Sequence, residues 1–231
     1  MPGYILHLTA AHMFLNTLPE GDPLRCRPDL QNDFYIGNLL PDAVGDKTAS
    51  HFRNPKYLDR MIVWPRPEEF RRKYASHMNE PVYLGYYFHL YIDKVFFSEY
   101  LPLAVEFLNE NGQPAELLRD VCSVRIKKNG QMITRNQYLS EEYYYGDYTK
   151  MNTWLCERYH LPEYLEPPGD PGIKEIEYSR LSGILDSLKE YRKVPVNAVR
   201  DVMVFDVEKL MRFLEEAASG TPPVINRGSV R

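Results

Sequence analysis

The chain has 231 residues, 44% hydrophobic and 26% charged, which suits one globular domain with a core large enough to stand alone. Lys and Arg number 28 against 32 Asp and Glu, so a net charge of -4 excludes a global positive field that would gather nucleic acid or an anionic membrane. Cys26, Cys122 and Cys156 are odd in number and form no CxxC pair, which argues against a disulfide framework and suits a reducing, cytoplasmic setting.

The opening MPGYILHLTAAHMFL lacks a basic leader region and a small-residue cleavage site, so it reads as mature protein. Apolar residues at helical spacing predict a helix from Tyr4 to Leu18, stopped by the turn-rich stretch 19–23. Arg27-Pro28-Asp29 opens a second helix and Pro41 closes it, leaving Asp42 just past its end. Residues 43–65, broken by Gly45, Pro55 and Pro65, read as a structured loop carrying Lys47, His51 and Arg53. A helix is expected from Pro67 to Met78, then a strongly apolar one from Pro81 towards Tyr100. Asp93, Lys94 and Glu99 interrupt the latter and keep it from being a membrane span.

Residues 102–111 also read as helical. From Ser123 to Thr134 two alternating runs meet at Asn129-Gly130, which predicts a β-hairpin inserted at about 121–135. Helices are expected again over 138–159, 173–191 and 206–218, with a Pro/Gly loop at 162–172. The stretch 220–231 has turn formers and no periodicity and reads as a flexible tail. The fold class is therefore mainly α: a single-domain multi-helix bundle over 1–219 with one small hairpin.

Chemistry enters with GYYFHLYIDK, residues 85–94, where His89 and Asp93 stand one helical turn apart on the same face. Alone, the pair reads first as a satisfied buried hydrogen bond. Beside it stand His7 on the apolar first helix, Asp42 in GNLLPDA and His51 in DKTASHF. Three imidazoles and two carboxylates from separate segments make a mixed nitrogen and oxygen set that suits zinc or another divalent transition metal. Lys47 and Arg53 flank His51 and are candidates for contact with phosphate. Asp147, within SEEYYYGDYTKMN, is a further candidate for a cleft wall, although a helix start with capping acids and core tyrosines is the plainer reading. Asp46, Asn38 and the tyrosines near His89 are candidates to orient the ligands.

The order of an N-terminal His, a Pro-Asp after a helix, a His in the next loop and then YLGYYFHLYID resembles the zinc-dependent phospholipase C family, related to the S1/P1 nucleases, over roughly the first 100 residues. The resemblance implies a helical metal-hydrolase fold in which Asp42, His51, His89 and Asp93 bind one ion. It also implies that Asp93 or a neighbour can bridge to a second ion and that His7 serves an additional zinc. Asp42, at a loop mouth, is the candidate to orient or deprotonate water. This chain lacks the family's later His-x-x-x-Glu series, since only His160 follows His89, and the expectation narrows to one or two ions.

The expected activity is hydrolysis of a phosphoric ester, whether phosphodiester, phospholipid head group or nucleotide, with no stable nucleic-acid complex. The alternative is a non-catalytic relative that keeps the fold as a metal-binding or scaffold protein. An HD-type phosphohydrolase is disfavoured, because no adjacent His-Asp doublet occurs.

Overall fold

The computed structural model describes residues 3–220, so the stretch 221–231, and with it nearly all of the expected tail, lies outside the described residues. In chain order come α1 (Tyr4–Thr17), α2 (Pro23–Cys26), α3 (Pro28–Leu39), α4 (Lys47–Ser50), α5 (Pro67–Lys73) and α6 (Pro81–Val95). A π turn (Phe96–Tyr100) continues α6 into α7 (Leu101–Ala104), then β1 (Val105–Leu108), β2 (Ser123–Ile126) and β3 (Met132–Thr134) follow. The chain closes with α8 (Arg135–Tyr138), α9 (Tyr144–Arg158), α10 (Leu181–Tyr191) and α11 (Val207–Ser219). The fold is mainly α-helical with a small antiparallel sheet, as the periodicity predicts. Among the described residues no helix is long and apolar enough to cross a membrane.

Helices α1 and α6 form the centre. From Ile5 to Ala11 every residue of α1 is buried, as is every residue of α6 from Val82 to Leu90, so both are apolar nearly all round and must lie inside. Their neighbours are α3, which packs along α6, and α9, α10 and α11, which pack on α1. The α3–α6 contact depends on two glycines. A Cβ on Gly37 would stand 2.2 Å from the Val82 carbonyl oxygen, and one on Gly85 would stand 2.2 Å from that of Phe34. With no side chain at either position, the two backbones touch, and α3 reaches the middle of α6.

Several expectations change. Residues 102–111 do not form the expected helix: α7 ends at Ala104 and Val-Glu-Phe-Leu runs on as β1, pairing Val105 with Ile126 and Leu108 with Ser123. A run of four residues, Val-Glu-Phe-Leu, is too short to fix either period, and its partner lies far along the chain. The hairpin itself forms, with Ser123 opposite Thr134, but through the longer loop 127–131, in which Gly130 takes φ 73°. Two-residue turn geometry gives way because the Ile126 amide donates to the Gln131 carbonyl at 2.8 Å.

The expected helix 138–159 splits in two. Thr134 and Gln137 form a capping box that starts α8 early, and α9 begins only at Tyr144. Likewise 173–180 is not regular helix before α10. There the Glu177 amide donates to the Ala43 carbonyl at 2.8 Å, so a tertiary contact near Asp42 replaces intrahelical bonds.

Gly85→Ala is expected to cost about 1–3 kcal/mol from overpacking against the α3 backbone. Gly183→Ala on α10, where nothing lies within 4 Å, is expected to be neutral or to gain up to about 1 kcal/mol. Urea midpoints of the two variants check this; equal midpoints would contradict the close-approach reading.

Candidate metal centre

The five residues singled out in the first 100 positions come together at one buried point. His7 arrives on α1, His89 and Asp93 on α6, Asp42 on the 3-10 turn that ends α3, and His51 as the C-cap of α4. His51 Nε2 lies 3.4 Å from Asp42 Oδ1, 3.5 Å from Asp93 Oδ2 and 3.3 Å from His89 Nε2. His89 Nε2 lies 3.9 Å from each of those two oxygens. Donors at bond lengths of about 2.0–2.1 Å around a tetrahedral ion stand roughly 3.3–3.4 Å apart, which the three spacings about His51 Nε2 approach.

Imidazole orientation agrees. His89 Nδ1 lies 2.7 Å from the Asn38 carbonyl oxygen, which can only accept, so Nδ1 carries the proton and Nε2 turns its lone pair to the centre. His51 Nδ1 lies 2.9 Å from Ser50 Oγ, and the Tyr86 hydroxyl donates to the Ser50 carbonyl at 2.7 Å, fixing that turn. Immediately after His51 the chain reverses at Phe52, whose φ of 50° is in the left-handed region; Arg66 Nε donates to its carbonyl at 2.8 Å. Two imidazole nitrogens 3.3 Å apart with facing lone pairs repel unless a proton or cation lies between them.

His7 stacks on His89 with ring centroids 3.7 Å apart and 8° between planes, and its Nε2 lies 3.2 Å from Asp93 Oδ1. Parallel stacked rings aim their in-plane lone pairs along separate planes, so His7 addresses the other oxygen of Asp93 and not the His51–His89 position. Two overlapping groups of donors result, Asp42 with His51 and His89, and His7 with His89 and Asp93. Both oxygens of Asp93 and both ring nitrogens of His7 are buried without an aligned hydrogen bond among the described residues, although their neighbours are close. A buried polar atom in that state lacks a partner that a cation would supply.

Electrostatics follow from burial and proximity. Burial alone would raise the Asp42 carboxyl, but the His51 imidazole, His89 and the Lys47 ammonium 2.8 Å away hold it below the ordinary carboxylate range. Asp93 is likewise held well below that range, because His51 and His7 outweigh its burial. Burial pushes the His89 imidazole down to about 3, assisted by His7. His51 moves the other way: burial opposes its charge, yet Asp42 and Asp93 raise it above 6.5.

The centre opens through Asp42 into a cavity of about 740 Å³. Lys47 and Arg53 line it, together with Tyr138, Tyr148 and Asn152. The hydroxyl of Tyr138 is buried without a hydrogen-bond partner among the described residues, that of Tyr148 is buried beside Tyr144, and burial raises both phenols well above 10, which keeps them as donors.

Asp147 is not on this wall. Its buried carboxylate accepts the backbone amides of Met203, Val204 and Phe205 at 2.8, 2.6 and 3.2 Å and meets Lys150 at 3.2 Å, so it anchors the 203–205 segment to α9. Asp46 also differs from expectation. Its carboxylate caps α4 through the Thr48 amide at 2.9 Å, and Asn38 acts on His89 through its backbone carbonyl, not its side chain. Ser50, which the sequence reading passed over, is the other orienting group; its position beside His51 was the only signal.

Searches of family models, curated proteins and solved structures found no match to this chain.

Zinc binding is expected to release protons, the more so as pH falls, because Asp42 and Asp93 favour the protonated form of His51, which must lose that proton to donate a lone pair. Affinity then weakens as pH falls through and below the raised His51 value. Calorimetric titrations in buffers of different ionisation enthalpy measure the release; none would remove His51 from the ligand set. Asp147→Asn is expected to lose on the order of 1–3 kcal/mol in urea unfolding with metal content unchanged.

Proposed function

We propose that the chain is a metal-dependent hydrolase of phosphoric esters, of the zinc-dependent phospholipase C kind that its sequence resembles. The observation that carries this reading is a buried set of closely spaced nitrogen and oxygen donors that meets a cavity lined by the cations Lys47, Arg53 and Arg60. Asp42, His51 and His89 form one group that fits a divalent ion, with Asp93 Oδ2 3.5 Å from His51 beside it, and His7 with His89 and Asp93 forms an overlapping group towards another. Zinc is favoured by the imidazole-rich donors. When bound, such an ion supplies Lewis acidity and lowers the pKa of water from about 15.7 to about 7.

The protein's own groups would then do the following. Asp42 is the only carboxylate of the donor set that also lines the cavity, so it orients attacking water and accepts its proton. Lys47 stands one helical turn before His51 with its ammonium on Asp42 Oδ1, beside the place where a phosphoryl oxygen would gain charge. Arg53 presents a guanidinium suited to a second phosphate oxygen. Phosphodiesters, phospholipid head groups and nucleotides all fit this chemistry.

One feature favours a second reading, a non-catalytic scaffold: the Lys47 ammonium already lies 2.8 Å from Asp42 and compensates its charge as an ion would. The two readings part experimentally. Purified protein is expected to contain one or two equivalents of metal by elemental analysis, and His89→Ala to lose at least one. Hydrolysis of bis-p-nitrophenyl phosphate should stop with chelator and return with zinc. Metal-free protein whose His89→Ala variant melts at the wild-type temperature would sink the catalytic reading.

A further inference from the structure

Helix α9 turns one face to the cavity that opens from Asp42. Tyr144, Tyr145, Tyr148, Thr149 and Asn152 stand at i, i+1, i+4, i+5 and i+8, a single stripe, and all five line that cavity together with Asp42 and Lys47. Glu141 joins the wall just ahead of the helix. A Cβ on Gly146 would stand 1.7 Å from the Glu141 carbonyl oxygen, so the bare glycine lets the Glu141 backbone lie directly against the first turn of α9.

Polar groups on this wall lack partners. Asn152 is 5% exposed, and its side-chain amide meets no hydrogen-bond partner among the described residues. Glu141 has no ion pair among them either, and the buried Tyr138 hydroxyl on the same lining has no partner. An amide left unmet inside a protein is costly, so Asn152 calls for a group that accepts from its nitrogen and donates to its oxygen. The rings beside it are not free to stack. Tyr138, Tyr144 and Tyr148 are buried against one another, with the Tyr144 centroid 4.9 Å from that of Tyr138 and 5.2 Å from that of Tyr148. Their faces therefore offer neither a platform for a planar base nor a cage for a quaternary ammonium, which also carries nothing to answer an amide. A hydroxyl does answer: it donates to the Glu141 carboxylate, and it can both donate to and accept from Asn152. Asn152 lies two turns, about 12 Å along the axis, beyond Tyr144, and Glu141 precedes that residue, so one hydroxyl cannot serve both. Several hydroxyls spread round one group are required.

We infer that the cavity takes a phosphoric ester of a polyhydroxylated alcohol, a cyclitol or a sugar, whose hydroxyls bind Asn152 and Glu141 while the phosphate lies at Lys47 and the donor set. The inference rests on the hydrolase reading for the position of the phosphate. The hydroxyl site itself stands on the α9 wall alone.

The test uses full-length, zinc-loaded protein and three phosphate esters of different alcohols. Calorimetry compares myo-inositol 1-phosphate with phosphocholine and with thymidine 5′-monophosphate on the wild type, Asn152→Leu and Glu141→Gln. The inositol ester is expected to bind the wild type at least tenfold more tightly than either of the others. Asn152→Leu should close that gap to under threefold while phosphocholine affinity moves less than twofold, and Glu141→Gln should narrow it. Melting temperatures confirm folding, and because Glu141 is exposed its variant remains informative where that of buried Asn152 fails to fold. Equal affinities in the wild type, a preference for choline or thymidine, or a gap indifferent to both substitutions would overturn the inference. Rates on glycerophosphoinositol and glycerophosphocholine separate it from the hydrolase reading. A binding gap without hydrolysis of either diester sinks the hydrolase and keeps the hydroxyl site; hydrolysis of both at equal kcat/KM with equal affinities does the reverse.

Discussion

Two carboxylates buried among apolar side chains set the terms for the rest of this fold. Moving one carboxylate from water into a medium of low dielectric costs on the order of 20 kcal/mol in the idealised limit and several kcal/mol after relaxation. Asp42 and Asp93 therefore need positive partners close by, and the chain supplies imidazoles from three segments together with Lys47. Because His7, Asp42, His51 and the His89–Asp93 pair lie on different elements, the same electrostatic demand that makes the centre costly also fixes the relative placement of α1, α3, α4 and α6.

Packing then determines protonation. Only where the backbones of α3 and α6 touch at Gly37 and Gly85 can the Asn38 carbonyl come within 2.7 Å of His89 Nδ1. That contact chooses the tautomer and sends the Nε2 lone pair inward. The Glu177 segment works at the other side of Asp42: its amide meets the Ala43 carbonyl and its carboxylate accepts from the Gly45 amide at 3.3 Å, so the loop mouth is held by a strut from far along the chain.

How much of this was legible in the sequence depends on the range of the interaction. Long amphipathic or fully apolar helices were readable because their signal is local and repeated, as in α1, α6 and α11. The donor set was readable because each member stood out against apolar or turn-forming neighbours. Strand β1 was not, since Val105 to Leu108 become a strand only by pairing with residues some 18 positions further on. Asp147 was misplaced for a related reason: nothing near it announces that three amides from 203–205 will converge on its carboxylate. Arg60 gave no sign either, as its position depends on a pairing with residues near 117.

The π turn at Phe96–Tyr100 divides one continuous helical rod into two registers. A π turn amounts to a single extra residue taken up within a helix, which rotates everything beyond it by about 100° relative to what precedes it. Upstream, His89 and Asp93 are tied to the centre and cannot turn. Downstream, Leu101 and Val105 line a separate cavity of about 380 Å³. Cavity shape can thus be re-aimed by gain or loss of one residue at this joint while the donor geometry stays as it is, so the reacting centre and the recognition surface are separately adjustable parts of the same helix.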